Sequence, residues 1–176
     1  MASRDINLLE PVFKERLLYT TMECQKKGLD ILVYCTVRSL EEQAKLYRQS
    51  RTTAQIEAKK REFYQKNLLD LARAIDFVGT QSGPHVTNAA PGESWHNFGE
   101  AADCVPLING KPAWNAKQYP KEWKLFGDIA VSNGLEWAGH WKRFKEFPHV
   151  QTNFGGESPT KILTPDLIND TFYWHS

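Results

Sequence analysis

Two stretches far apart in this chain, Ser94–Asp103 (SWHNFGEAAD) and Glu146–His149 (EFPH), fit together as one metal site, and this constrains the fold to bring them side by side. The first offers His96 and Asp103 around Gly99; the second offers His149 shortly after Glu146. Two imidazoles and one carboxylate with a fourth position open are the ligand set of a catalytic zinc. A glutamate beside such a set is the usual proton carrier for a metal-bound water.

The spacing selects among local structures. On a helix, His96 and Asp103 would share one face, as in an ordinary amphipathic stripe, but they would stand about 10 Å apart along the axis. Bonds of ~2 Å to one ion exclude that arrangement. Gly99 permits a turn instead, so that Asp103 comes back toward His96 on a following strand. Strand alternation puts Asp103 and Ala101 on one face and Cys104 on the other, which makes Cys104 a core thiol. Pro148 disfavours helix at Phe147 and opens an extended segment, so His149 falls on a strand with Glu146 in the turn before it.

The flanking sequence reads as α+β. Residues 8–27 place Leu9, Val12, Phe13, Leu17 and Met22 at roughly helical spacing, ending at Gly28. Residues 31–37 form a β-branched and aromatic run, a buried strand. Ser39 to Glu42 is a capping box opening a helix to about Gln49. Residues 53–78 predict one or two helices, and 81–94 a Gly- and Pro-containing loop. A strand over 101–108 turns at Asn109-Gly110, the strong hairpin signal. A helix over 120–132 stops at Asn133-Gly134, and short strands are expected at 135–137 and 148–151. Helices first and a strand-rich half later predict a small antiparallel sheet carrying the zinc site, flanked by helices.

With 176 residues the chain fits a single domain over 1–176, with 152–176 as a tail packing on the core. A net charge of +1 argues against nucleic acid as a partner. No apolar run approaches the ~20 residues of a membrane span, so no membrane insertion is expected. The N-terminus shows no apolar signal segment. Three cysteines without CxxC spacing favour reduced thiols in a cytoplasm.

Val86-Thr87-Asn88-Ala89 followed by Ser94-Trp95-His96-Asn97-x-Gly99-x-Ala101-x-Asp103 resembles the zinc peptidoglycan peptidases related to VanY-type D-Ala-D-Ala carboxypeptidases. Among them the pattern is most similar to phage endolysins that act as L-alanyl-D-glutamate endopeptidases. Residues 36–43, 134–141 and 145–151 carry the same resemblance in order. It implies zinc ligands His96, Asp103 and His149, with Glu146 as general base. It implies that Arg38 binds substrate and steadies the oxyanion, and that Ser94 and Gln43 lie near the substrate. Where relatives often have Gly-Gly-Asp-Trp, this chain has Ala138-Gly139-His140-Trp141, and 51–80 is longer than the family minimum. The function so implied is hydrolysis of the L-alanyl-D-glutamate bond of the bacterial peptidoglycan stem peptide by attack of a metal-bound water. A monomeric phage lysin is expected, made in the host cytoplasm without a signal peptide and acting on the periplasmic wall after release.

Two other functions stand beside it: a D-Ala-D-Ala carboxypeptidase or dipeptidase, and a non-catalytic wall-binding module with a structural zinc. Single residues also have plainer readings. Arg38 fits an ordinary surface arginine, and Glu146 in its charged run fits a solvated salt-bridge partner. His85 reads as structural or exposed, His140 equally as a partner of the site or an exposed residue, and His175 as a tail residue. Trp95, Trp137 and Trp141 read as cleft wall or as packing.

Overall fold

The run after Gly28 extends because its β-branched and aromatic residues pack well on a pleated surface, and it becomes the edge of a sheet. The computed structural model describes residues 3–172. In chain order it contains α1 (Pro11–Lys26), β1 (Asp30–Cys35), α2 (Leu40–Arg48), α3 (Thr53–Gln65), α4 (Leu69–Phe77), β2 (Ala101–Ile108), β3 (Lys111–Pro112), α5 (Pro120–Ser132), β4 (Leu135–Trp137), β5 (His149–Thr152), α6 (Pro159–Ile162) and α7 (Pro165–Thr171). Single 3₁₀ turns lie at Ile6–Leu8, Trp95–Phe98 and Ala138–His140. These elements form two units. One comprises 3–37 and Phe98–Gly156, the other Arg38–Asn97 and 157–172.

The first unit holds the whole sheet, which is antiparallel in the order β1-β2-β5-β4, with β3 paired to the end of β2. Asn109 and Gly110 both have positive φ, 50° and 73°, as the tight β2–β3 hairpin requires. α1 and α5 cover the sheet with Phe13, Leu17, Trp123 and Phe126, all essentially inaccessible. Each such side chain contributes about 1.5–3 kcal/mol through removal from water. The buried face of α1 is Phe13, Leu17, Thr20 and Cys24, whereas Val12 and Met22 are exposed. The sheet meets the helix along the 13–17–20–24 stripe, so of the five apolar positions read from the sequence Val12 and Met22 face away from it, while Leu9 is buried just before the helix begins.

In the second unit Ser39 caps α2 by accepting from Glu42 N–H, and a reciprocal Thr52–Gln55 capping box opens α3. The 53–78 segment is two helices, broken at Asn67, whose φ is +57°. Phe63, Leu68, Leu71 and Ile75 are fully buried here. α7 buries Ile168, and Asn169 Nδ2 donates to Asn67 O at 2.9 Å. His175 lies outside the described residues.

Candidate active site

Asp103 sits in the middle of a row of three opposed strand residues. It faces His149 on β5 and Cys35 on β1. Directly opposed residues put their side chains on the same face of a sheet, so Cys35 and His149 flank Asp103 on one face. His149 Nδ1 lies 3.2 Å from Asp103 Oδ1, and both residues are buried. Tetrahedral donors bound at ~2.0–2.1 Å stand about 3.3–3.4 Å from one another, so this pair already has the spacing of two ligands of one zinc.

The other imidazole nitrogen is fixed from behind. Glu136 Oε2 accepts from Gln151 Nε2 at 3.1 Å, which orients the Gln151 amide so that its Oε1 faces His149 Nε2 at 3.0 Å. An oxygen there requires the proton on Nε2, which leaves Nδ1, facing Asp103, as the nitrogen that could hold a metal. Glu136 is itself held by Trp141 Nε1 at 2.6 Å and Gly156 N at 3.0 Å. The Trp141 ring stands 5.6 Å from the His149 ring. Burial pulls the His149 pKa down, but the hydrogen bond and charge of Asp103, with the charge of Glu146, outweigh it and raise it. A group of donors that draws a proton onto Nδ1 in this way suits a divalent cation in the proton's place.

Glu146 lies in the turn before β5, half-buried, as its spacing from Pro148 predicts. Its backbone N–H donates to Ala138 O at 3.3 Å and its carbonyl accepts from His149 N–H at 3.2 Å. Trp137 braces this turn through its Nε1, which donates to Phe147 O at 2.7 Å. The Trp137 ring passes so close to Gly127 and Gly139 that a Cβ on either would stand 2.1 Å and 2.3 Å from ring carbons. Trp137 is therefore packing, and of the two earlier readings of this residue the structural one holds. His140 is exposed, with its ring 4.9 Å from Trp137. Cys24 and Cys104 are inert core thiols: burial pushes Cys24 up to about 11 and Cys104 well above its ordinary value.

The second unit gathers Arg38, Gln43, Ser94 and His96. Arg38 N–H donates to His96 O at 3.1 Å, and Arg38 Nη1 to Gln43 Oε1 at 2.8 Å. Gln43 is completely buried and its Nε2 donates to Ala89 O at 2.7 Å, so its amide is spent on aiming Arg38 and tying down the 81–94 loop. Asn97 links the same pieces, donating from Nδ2 to Arg38 O at 2.8 Å and accepting from Gly92 N–H at 3.0 Å. His96 is buried and Ser94 nearly so. Trp95 is buried too, with Nε1 on Glu157 O at 2.8 Å.

Asp103, His149 and Glu146 thus come together in one unit, and Arg38, Gln43, Ser94 and His96 in the other, with the chain crossing between them after Asn97. Sequence reading passed over Gln151, Glu136 and Asn97 as working residues. Gln151 carried a usable signal, since it stands two positions after His149 and strand alternation puts it on the same face. Glu136 and Asn97 carried none, because their partners are distant in the chain.

The family match and the relatives of this chain indicate a class, a zinc metallopeptidase. Residues 87–152, which contain Ser94, His96, Asp103, Glu146 and His149, match the peptidase family described as D-alanyl-D-alanine carboxypeptidase. The vancomycin-resistance D,D-pentapeptidase VanY of a VanB-type cassette, solved with Zn(II), has a similar fold: TM-score 0.50 at 16% identity, over 91% of this chain and 83% of that one. More particularly, the chain is similar to the peptidoglycan L-alanyl-D-glutamate endopeptidase CwlK of Bacillus subtilis. They are 29% identical over 149 residues, which are 81% of this chain and 72% of CwlK. It is also 28% identical over 133 residues to the L-alanyl-D-glutamate peptidase of a Listeria phage, covering 75% of this chain and 34% of the phage protein.

Proposed function

We propose that this chain is a zinc-dependent peptidoglycan endopeptidase that hydrolyses the L-alanyl-D-glutamate bond of the stem peptide. The observation that carries this reading is similarity to two proteins of that activity, each over three quarters or more of this chain. The proposed zinc ligands are His96, Asp103 and His149. The Asp103–His149 spacing supports two of them, and the six-residue link from His96 through Gly99 to Asp103 supports the third. Residues 1–176 would act as one peptidase domain.

Bound zinc supplies Lewis acidity, which acidifies water and polarises the scissile carbonyl. Glu146, in the turn before β5, takes the proton from the attacking water and delivers it to the leaving amine. Arg38, held by Gln43, brings its guanidinium either to the charge developing on the carbonyl oxygen or to a stem-peptide carboxylate as a bidentate clamp. Ser94 contacts the substrate directly, and Gln43 acts on it through Arg38. The phage relative supports a lysin role; in this reading the protein acts as a monomer, reaches the periplasmic wall after release from the host cytoplasm, and lyses the cell, with antimicrobial action as a consequence.

The test is purified peptidoglycan digested by zinc-loaded wild type beside Glu146→Ala, with released ends identified by mass spectrometry. New glutamyl amino termini are expected from the wild type, and a rate lower by about 10²–10⁴ from the variant. The family description favours a second reading, a D-Ala-D-Ala carboxypeptidase or dipeptidase, and release of free D-Ala would establish it. A folded, zinc-replete protein that yields no product would leave the wall-binding module.

A further inference from the structure

β1 is not a regular strand. Its pairing with β2 runs evenly from Asp30↔Leu107 to Val33↔Cys104, then skips Tyr34 and resumes at Cys35↔Asp103. Without the extra residue, Tyr34 would oppose Asp103, and Cys35 would point to the face away from it. The bulge turns the Cys35 side chain onto the face of Asp103, the kind of re-aiming for which bulges occur beside functional sites. The result is a cross-strand row, Cys35–Asp103–His149, in which every member carries a metal-ligating atom and every member is buried, at 3%, 9% and 6% exposure. Cys35 Sγ lies within 4.8 Å of an Asp103 carboxylate oxygen. Cys104 opposes Val33, one pairing step from Asp103 on the other face, so this proximity belongs to Cys35 alone among the three thiols.

Resting on the zinc reading above, we propose that Cys35 is a fourth ligand of the metal in the substrate-free protein. A tetrahedral ion with an S donor at ~2.3 Å and an O donor at ~2.1 Å holds the two about 3.6 Å apart. For Cys35 and Asp103, reaching that spacing requires a shift of at most on the order of 1 Å, within what small side-chain torsions supply. Binding breaks the Sγ–H bond and forms an Sγ–metal bond; the proton leaves to solvent and no electrons are transferred. The consequence is a resting site closed by four protein ligands. The thiolate also offsets positive charge that would otherwise polarise the substrate carbonyl. For hydrolysis, water or the substrate carbonyl oxygen would have to displace Sγ, which would leave as the thiolate or take back a proton from the entering water.

The experiment is cobalt(II) substitution of the full chain, read by absorption. Tetrahedral cobalt bands in the visible, with a near-ultraviolet thiolate-to-cobalt charge-transfer band, are expected for wild type and for Cys104→Ser. The charge-transfer band is expected to vanish in Cys35→Ser and Cys35→Ala. Visible bands in wild type without charge transfer would overturn the Cys35 ligand and leave the metal site standing, as would a charge-transfer band that survives both Cys35 variants. Failure of folded wild type to take up cobalt would overturn the zinc reading itself. X-ray absorption of the zinc-loaded wild type needs no Cys35 variant: one sulfur scatterer at ~2.3 Å is expected, and a shell of only nitrogen and oxygen refutes the ligand.

Discussion

Gln151 accepts the Nε2 proton of His149 and is held in turn by Glu136, so a neutral amide on β5 would decide which imidazole nitrogen the proposed metal takes. Partners of this kind typically change metal affinity by about 10–100-fold when removed. Gln151→Ala is therefore expected to weaken zinc binding by that order, as read by competition with a chromophoric chelator, with far-ultraviolet circular dichroism unchanged. An unchanged affinity would mean that Asp103 and the Trp141 ring suffice to orient His149. Arg38 poses a different question, since its guanidinium has two roles in prospect. If it answers the oxyanion, Arg38→Ala lowers kcat by ~10²–10³. If it clamps a substrate carboxylate, the loss appears in KM with kcat retained. Steady-state kinetics on a soluble stem peptide separates the two.

At the level of elements, the turn carrying Glu146 owes its position to Trp137, and Trp137 owes its own to two missing Cβ atoms. Gly127 on α5 and Gly139 in the following turn let the indole ring lie against backbone, where its Nε1 reaches Phe147 O. Gly127→Ala puts a methyl into the ring at 2.1 Å, and overpacking of this kind costs about 1–3 kcal/mol. It is expected to lower the urea midpoint by a corresponding amount and to reduce peptidase activity by moving Glu146; a midpoint equal to wild type would show the ring free to step aside. In the sequence, Gly99 permits a turn between His96 and the strand that carries Asp103. Its φ of +73° bears this out, and the backbone of Leu8 and Glu10 at 3.1 Å adds a steric reason that only the fold reveals. The β1 bulge is the opposite case. Nothing in DILVYC marks where the register will slip, because a bulge depends on the partner strand as much as on its own residues.

For the whole molecule, the proposed ligands come from distant parts of one chain and would tie metal binding to folding. A ligand that binds only the folded state stabilises it by about 4 kcal/mol at a thousand times its Kd. Chelation of zinc is therefore expected to abolish hydrolysis and lower Tm, with both restored by added zinc. A Tm indifferent to zinc would place the metal off the folding equilibrium. The sequence by itself determined the α+β class and most element boundaries, and it supplied His96, Asp103 and His149 as proposed donors with Glu146 beside them. Periodicity, turn residues and donor spacing are local properties, and they are written into neighbouring residues. Tertiary structure alone decided that Val12 and Met22 face outward, that Gln43 is buried beneath Arg38, that Gln151 and Glu136 fix the tautomer of His149, and that a bulge delivers Cys35 to Asp103. Each of these depends on which strand or helix arrives opposite, a relation between residues far apart in the chain that no window of sequence contains.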